Sequence, residues 1–357
     1  MNFLTSDDKS GRYDEIQSGL TSTQYESIPM PPHTVWEWVE GYGAIQTDAE
    51  RIHGDYCQAQ KETESRLNEM IAAEDLEALL VSTKKMSTSP AEVVLYADGW
   101  GALELERRES SGETLMCDHL DFGKTDKEQE MWLDLLNNGS VGKHLPDDIP
   151  LSYMRQKEWI DLLEKATNGR DKENWYTYYL LGTYYIAEEN YIKARKNLTK
   201  SLSLNKSAWA YYAMSVLCGR EKKRRKEVEF LLSAYEFKKG DVSLAKEVFR
   251  KLFEQNLYEK TIEIYGNADE TIKNNKRCLL YYAYALARKG KLDEAEEILC
   301  GKDGKTYLVV PDVRECELTV TKLWVYIHER RGETREQMGE PPYDLDFRMF
   351  SKREGWI

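Results

Sequence analysis

The sequence predicts a mainly α-helical fold, in which helical hairpins stack as an α-solenoid behind a short β-rich N-terminal segment. The first observation is a repeat: Trp175, Trp209, Val242 and Lys276 fall in one register, 33 or 34 residues apart. The second is that each unit has an apolar first helix, a short break and an amphipathic second helix. A spacing of about 34 residues is typical of stacked helical hairpins, since one hairpin cannot bury its apolar face alone.

The residue types within these units recur in order. In the first unit, the first helix carries Tyr178, Leu181, Gly182 and Tyr185. The breaks are Glu189-Asn190, Gln255-Asn256 and Lys289-Gly290. Each second helix then has a large apolar residue, a small one three positions later and a bulky one four positions after that: Tyr191, Ala194 and Leu198; Tyr258, Thr261 and Tyr265; Leu292, Ala295 and Leu299. The small residue allows two helices to cross closely.

This pattern resembles tetratricopeptide repeats. Leu181-Gly182-x-x-Tyr185 and Gly290-x-Leu292-x-x-Ala295 match that family in the first and last units. The two units between them match less well, because the second has Ser215-Val216 in place of Leu-Gly and Lys223-Arg224-Arg225 at its break.

Composition indicates a protein that keeps its thiols reduced and stays in the cytoplasm. Of the 357 residues 41% are hydrophobic, enough for a core, and the net charge of −13 argues against general nucleic-acid binding. The six cysteines are scattered without a CxxC motif, so we expect neither a metal site nor any other cofactor. We also expect neither a secretory signal nor a membrane span.

Short alternating segments near the N-terminus predict two or three β-strands. Thr34 to Tyr42 alternates polar and apolar residues for nine positions after the turn Pro29 to His33. The chain offers few other strand candidates, and two or three strands alone are marginally stable in water.

Asp14-Glu15-Ile16-Gln17, followed by Pro32 to Trp36, resembles the end of a galactose-mutarotase-like β-sandwich. The whole chain is similar to the C-terminal part of a bacterial family of unknown function, in which such a sandwich precedes tetratricopeptide-like helices. The stretches that carry this second resemblance are Glu15 to Leu20, Thr23 to Glu26, Trp36 to Trp38, Gly99 to Glu104 and Leu345 to Met349.

The resemblance implies a sugar site that an upstream sandwich would complete. Glu15 would be its general base, and Gln17, Gln24, Trp36 and Trp38 would bind carbohydrate. Packing is the alternative role for the two tryptophans.

We predict three parts: residues 1–46, a β-rich remnant; residues 47–150, a helical linker region; and residues 151–357, the repeats with a C-terminal cap and tail. A helix should begin after Asp48. Ser89-Pro90-Ala91-Glu92 predicts a helix from Ala91 to Ala97, with a hairpin around Asp98-Gly99 as the alternative. Gly99-Trp100-Gly101 should interrupt that helix in a close helix contact that buries Trp100, and residues 102–108 should resume it.

Four further expectations concern the rest of the helical part. Thr125 to Glu128 predicts a capping box, and residues 140–150 are interpreted as a linker. Residues 318–330 should cap the stack. The tail from Pro341 should lie back on the helices.

The first helices of such a stack line its concave surface. The register places there Tyr176, Tyr179, Thr183, Ala213, Leu217, Arg220, Lys246, Arg250, Phe253, Arg277 and Tyr284. Lys246 and Arg250 share a helix face and, with Arg220 and Arg277, predict a basic spot that binds a peptide carboxylate or an acidic segment. A solvated helix face and an internal interface are the alternatives.

The sequence therefore predicts a protein-interaction scaffold without catalytic activity of its own, whose groove binds a protein or peptide partner. The alternative is the C-terminal portion of a carbohydrate-binding or carbohydrate-active protein.

Overall fold

The computed structural model of the chain describes residues 16–96, 98–114, 119–313 and 317–348. These residues form two compact units, one made of residues 16–94 and 119–121 and the other of residues 95–114 and 122–348. The division between residues 94 and 95 differs from the boundaries predicted at 46 and 150.

The first unit contains three helices and no buried residue in its described part. They are α1 (Ala49–Ile52), α2 (Tyr56–Met70) and α3 (Ala73–Thr83), followed by a 3-10 turn at Met86–Thr88. Asp48 caps α1 as predicted, accepting a hydrogen bond from the Glu50 amide. A bend at His53 and Gly54 separates α1 from α2, and Asp55 caps α2.

The strand prediction near the N-terminus is not supported. Residues 16–48 form turns and irregular chain, and no β-strand is present in them. Val35 and Tyr42, which alternate with polar residues as strand residues do, are exposed. Alternation stabilises a strand only when another strand supplies hydrogen bonds, and none of the described residues forms such a strand.

The helix predicted from Ala91 is wrong, because residues 91–96 form bends and irregular chain. The alternative hairpin is absent too. The second unit's first helix is α4 (Trp100–Ser111), which includes Trp100 and Gly101. The close contact predicted there is real but of another kind: a Cβ on Gly101 would lie 2.2 Å from the Phe122 ring, and Trp100 is only partly buried.

Two further helices precede the repeats, α5 (Glu130–Asn138) and α6 (Lys157–Thr167). The predicted capping box is displaced by one residue. Asp126 accepts from the Glu128 amide while Gln129 accepts from the Asp126 amide. Gly139 ends α5 in the left-handed conformation, as expected for a helix C-terminus.

The segment predicted as a linker, residues 140–150, is docked on the repeats. Val141 is buried, and its amide donates to the carboxylate of Asp171, which is 2% exposed. The Trp175 indole donates to the His144 carbonyl, and the Trp209 indole donates to the Asp148 carbonyl. These bonds satisfy polar groups that a free linker would leave to water.

Four helical hairpins follow, and the mainly helical prediction is confirmed. They pair α7 (Trp175–Ala187) with α8 (Tyr191–Leu204), α9 (Ala208–Arg220) with α10 (Arg224–Phe237), α11 (Val242–Glu254) with α12 (Tyr258–Gly266), and α14 (Lys276–Arg288) with α15 (Leu292–Cys300). The short helix α13 (Glu270–Asn274) joins the last two. We call these pairs the first to fourth repeats.

The first helices begin at residues 175, 208, 242 and 276, so the repeat length of 33 or 34 is confirmed. The predicted equivalence of Trp175 and Trp209 is wrong by one residue, because Trp175 corresponds to Ala208. The corrected register places Ser215, not Val216, at the position of Gly182. The second repeat therefore keeps a small residue there. A Cβ on Gly182 would lie 2.5 Å from Leu198, which explains why this position is small.

Every hairpin turn contains one residue in the left-handed conformation, at Glu189, Lys222, Asn256 and Gly290. Three of these are not glycine, although side chains disfavour this region. In the last three turns the next amide bonds to a carbonyl five residues earlier, for example from Leu257 to Leu252. This bond ends the first helix and fixes the start of the second.

Fully buried small residues lie where the two helices of a hairpin cross. Ala194, Thr261 and Ala295 are at most 1% exposed, as the sequence predicts. The bulky residues after them, such as Leu198 and Leu299, are buried as well. The first, third and fourth repeats thus share one pattern of close helix contacts.

The cap and the tail follow the prediction. The helix α16 (Thr319–Arg330) packs on α15, and the short helix α17 (Arg335–Met338) and a 3-10 turn at Tyr343–Leu345 follow it. Leu345 is fully buried, and its carbonyl accepts from the Thr321 hydroxyl. The described part of the tail therefore closes the core of the fourth repeat.

We expect Glu189→Gly to raise the free energy of unfolding by about 0.5–1 kcal/mol, because glycine occupies the left-handed conformation without strain. Gly290→Ala should lower it by about 1 kcal/mol at the equivalent turn. Lys196→Gly, in the exposed interior of α8, is the control and should cost about 1 kcal/mol. Urea denaturation measures all three. A loss at Glu189→Gly equal to that of the control would contradict the shared turn geometry.

Candidate interaction site

Two adjoining cavities lie beside the first helices of the second, third and fourth repeats. Cavity A, of about 720 Å³, lies between α9, α10 and α11. Cavity B, of about 840 Å³, lies between α11, α14 and the segment that joins α15 to α16. Both are lined by Glu247, Arg250 and Glu254, so they form one polar surface.

Cavity B contains three of the four cations predicted to form a basic spot, namely Lys246, Arg250 and Arg277. Arg220 lines cavity A, where Arg250 also contributes. The structure therefore brings the four predicted cations to the same polar surface, although not to a single point.

The cations of cavity B are neutralised by the chain itself. Lys246 Nζ lies 3.0 Å from the Asp312 carboxylate, and Arg277 Nε lies 2.9 Å from it. Arg277 also pairs with Glu317. Burial acts to raise the pKa of Asp312, but the hydrogen bonds from Lys246 and Arg277 outweigh it and hold that pKa below its usual value.

Arg250 is also paired within its own helix. Its guanidinium contacts the carboxylates of Glu247 and Glu254, which lie three residues before it and four after it. The hydrogen bond to Glu247 raises the pKa of Arg250, so this charge is permanent. The predicted basic spot is thus a network of alternating charges.

Cavity A has a buried acid at its edge. Glu227 is 7% exposed, and its carboxylate accepts from Lys251 at 3.1 Å and from Gln255 at 3.0 Å. It is the fourth residue of α10, where the other repeats have Ala194, Thr261 and Ala295. A charge therefore replaces the small residue that normally fills a helix crossing.

Gly219 makes room for this carboxylate. A Cβ at this position would lie 2.6 Å from Glu227 Oε1. The corresponding residues of the other repeats are Ile186, Phe253 and Ala287, all with side chains. The glycine and the glutamate are therefore a coupled departure from the repeat pattern.

Several residues predicted to face the groove are core residues instead. Tyr176 and Tyr179 are buried, and burial raises the pKa of both hydroxyls. The Tyr179 hydroxyl lies 2.6 Å from that of Tyr153. The remaining buried members of the predicted set are Ala213, Leu217, Arg277 and Tyr284. First helices are contacted on more than one side, so a residue on their inner face is not automatically accessible.

Tyr284 packs between aromatic side chains of neighbouring helices. Its ring centroid lies 4.8 Å from that of Phe253 and 6.4 Å from that of Tyr326, and the Arg288 guanidinium lies over its face. Phe253 does line cavity B, whereas Thr183 is half-buried and bonds to the Leu180 carbonyl.

The residues predicted to bind carbohydrate lie in the first unit. Glu15 is outside the described residues. Gln17 and Gln24 are exposed, Trp36 is partly buried and Trp38 is 53% exposed. Since no strand forms, the two tryptophans do not share a strand face.

The described residues offer neither a metal cluster nor a membrane-spanning helix. Within the described ranges, no group of three or more His, Cys, Asp or Glu is arranged to hold a metal ion. Across those ranges, no helix combines the length and the apolar character that crossing a membrane requires.

Comparison with known proteins finds a structural similarity to a protein whose crystal structure is titled "YrrB: a TPR protein with an unusual peptide-binding site". The match has a TM-score of 0.36 and 15% sequence identity, and it covers 49% of this chain and 83% of that chain. No family model matches the sequence, and no curated protein matches it.

Sequence reasoning missed Asp312, Glu317 and Glu227, three of the acids that line the two cavities. The first two come from a connecting segment more than thirty residues away from Arg277, which periodicity does not reach. Glu227 was detectable, because an acid at the small position of a repeat is a local anomaly.

We expect a coupling between Gly219 and Glu227. Gly219→Ala alone should lower the free energy of unfolding by about 1–2 kcal/mol, because the new methyl group displaces the paired carboxylate. In a Glu227→Ala background the same change should instead add up to about 1 kcal/mol, since alanine favours the helix. Urea denaturation of the four proteins measures this coupling.

Gly266→Ala serves as the control, because nothing lies within 4 Å of a Cβ at that position. Its effect should be the same with and without Glu227. Additive effects of Gly219→Ala and Glu227→Ala would contradict the described contact.

Proposed function

We propose that this chain is a helical-repeat interaction protein that holds a peptide segment of a protein partner. The partner lies on the surface that cavities A and B form together. The observation that supports this best is the continuity of the two cavities. Glu247, Arg250 and Glu254 of α11 line both, so the second, third and fourth repeats contribute side chains to one open surface.

The chemistry of this surface suits an extended polar ligand. Its lining has many charges of both signs, with Ser215, Tyr212 and Gln255 between them. Charged and polar groups arranged in this way set the orientation and register of a partner. The proposal assigns no catalytic step to the chain.

The carbohydrate alternative has no observation in its favour. It depends on Glu15, which lies outside the described residues, and none of the cavities described above is lined by Gln17, Gln24, Trp36 or Trp38. We therefore propose only the interaction function.

Site-specific photocrosslinking tests the proposal. With p-benzoylphenylalanine at Ser243, an exposed residue of α11 that lines cavity B, irradiation of the source cells should produce an adduct. Mass spectrometry of the digested adduct should locate one segment of one partner. The matched control is the same group at Ser203, an exposed residue of α8. Equal yields at both positions, or no adduct at Ser243, would argue against the proposed surface.

A further inference from the structure

The second repeat departs from the repeat pattern at three positions, and all three line cavity A. At the position of Gly219 the other repeats have a residue with a side chain, and at the position of Glu227 they have a small residue, as described above. The third departure is Arg224, the first residue of α10, where the other repeats have Tyr191, Tyr258 and Leu292. Natural proteins break their local rules mainly at functional sites, so this clustering indicates a site.

Cavity A also has cations that the described residues do not neutralise. Arg220, Lys222 and Arg224 follow one another around the hairpin turn, and all are exposed. None of them forms an ion pair with another of the described residues. At the same three positions the first repeat has Ala187, Glu189 and Tyr191, and the third has Glu254, Asn256 and Tyr258. The triple of basic residues is therefore particular to the second repeat among these.

The three acids that line cavity A already form ion pairs with basic residues of the chain. Glu227 pairs with Lys251, and both Glu247 and Glu254 pair with Arg250. With five basic and three acidic side chains in its lining, the cavity has an excess of positive charge inside a protein of net charge −13. The N-terminus of α10 adds to this, because its N-cap Lys223 provides no side-chain hydrogen bond to the first amides.

Cavity B differs in this respect. Lys246 and Arg277 are held by Asp312 and Glu317, so their charge is compensated before any ligand arrives. An external anion gains less there than at cavity A, where Arg220, Lys222 and Arg224 have no ion-pair partner among the described residues.

We infer that cavity A binds an acidic segment of the partner, with carboxylate side chains on Arg220, Lys222 and Arg224. This rests on the proposed function and specifies the chemistry of its ligand. Guanidinium groups bind carboxylates through paired hydrogen bonds, which suits the two arginines. Three cations spread along a turn match several carboxylates of an extended chain better than one compact anion, and continuity with cavity B gives that chain a path onward.

Fluorescence anisotropy with a defined peptide tests the inference on the purified full chain. The probe is a fluorescein-labelled peptide with glutamates at alternate positions, and its matched control has glutamine at those positions. The glutamate peptide should bind and the glutamine peptide should bind at least about tenfold more weakly, which corresponds to about 1.4 kcal/mol. Equal binding of the two peptides would overturn the inference.

Charge variants then locate the site. Arg220→Glu with Arg224→Glu should weaken binding of the glutamate peptide by at least about tenfold. Lys196→Glu with Lys206→Glu makes the same change in net charge at exposed residues that do not line the cavities, and it should change binding less than about twofold. Equal losses in the two double variants would show general electrostatics rather than a site, and would overturn the inference.

Two further variants separate the loss of the cations from repulsion by the introduced glutamates. Arg220→Gln with Arg224→Gln removes the cations without adding acids and should still weaken binding. Glu227→Gln should strengthen it, because it removes a negative charge at the edge of the cavity; weaker binding would count against the assignment. If these tests fail while Ser243 still crosslinks to a partner, the acidic ligand is wrong and the proposed surface stands.

Discussion

The close crossing of two helices in each hairpin is the constraint on which the repeats depend. It requires a fully buried small residue, as at Ala194, Thr261 and Ala295, and a turn that reverses the chain through one left-handed residue. Once both are present, the apolar faces of one hairpin can be covered only by the next. The stack from α7 to α16 follows from that local geometry, and so does the buried tail at Leu345.

The second repeat shows what happens when this constraint is relaxed. A glutamate at the small position brings a charge into the crossing, which is tolerated because Gly219 makes space and because Lys251 and Gln255 supply hydrogen bonds. The carboxylate of Glu227 lines cavity A, whereas Ala194, Thr261 and Ala295 line neither cavity. At this one position the second repeat therefore has a charged residue that lines a cavity, and the other repeats have a packed small residue.

The sequence was most informative where one local rule decides the structure. The repeat length and the small buried residues depend on spacing and were predicted. Residues 91–96 and the strand at Thr34 were not predicted correctly, because a good cap or an alternating pattern forms an element only when something packs against it. The four groove cations were identified from their register, but the carboxylates of Asp312 and Glu317 reach two of them, Lys246 and Arg277, only through the tertiary fold.

A crystal structure of the chain in complex with the glutamate peptide tests the central claim most directly. The account predicts peptide carboxylates within hydrogen-bonding distance of Arg220 or Arg224, with Asp312 still on Lys246 and Arg277. A peptide seated in cavity B in place of Asp312 and Glu317, or one bound away from both cavities, would contradict it.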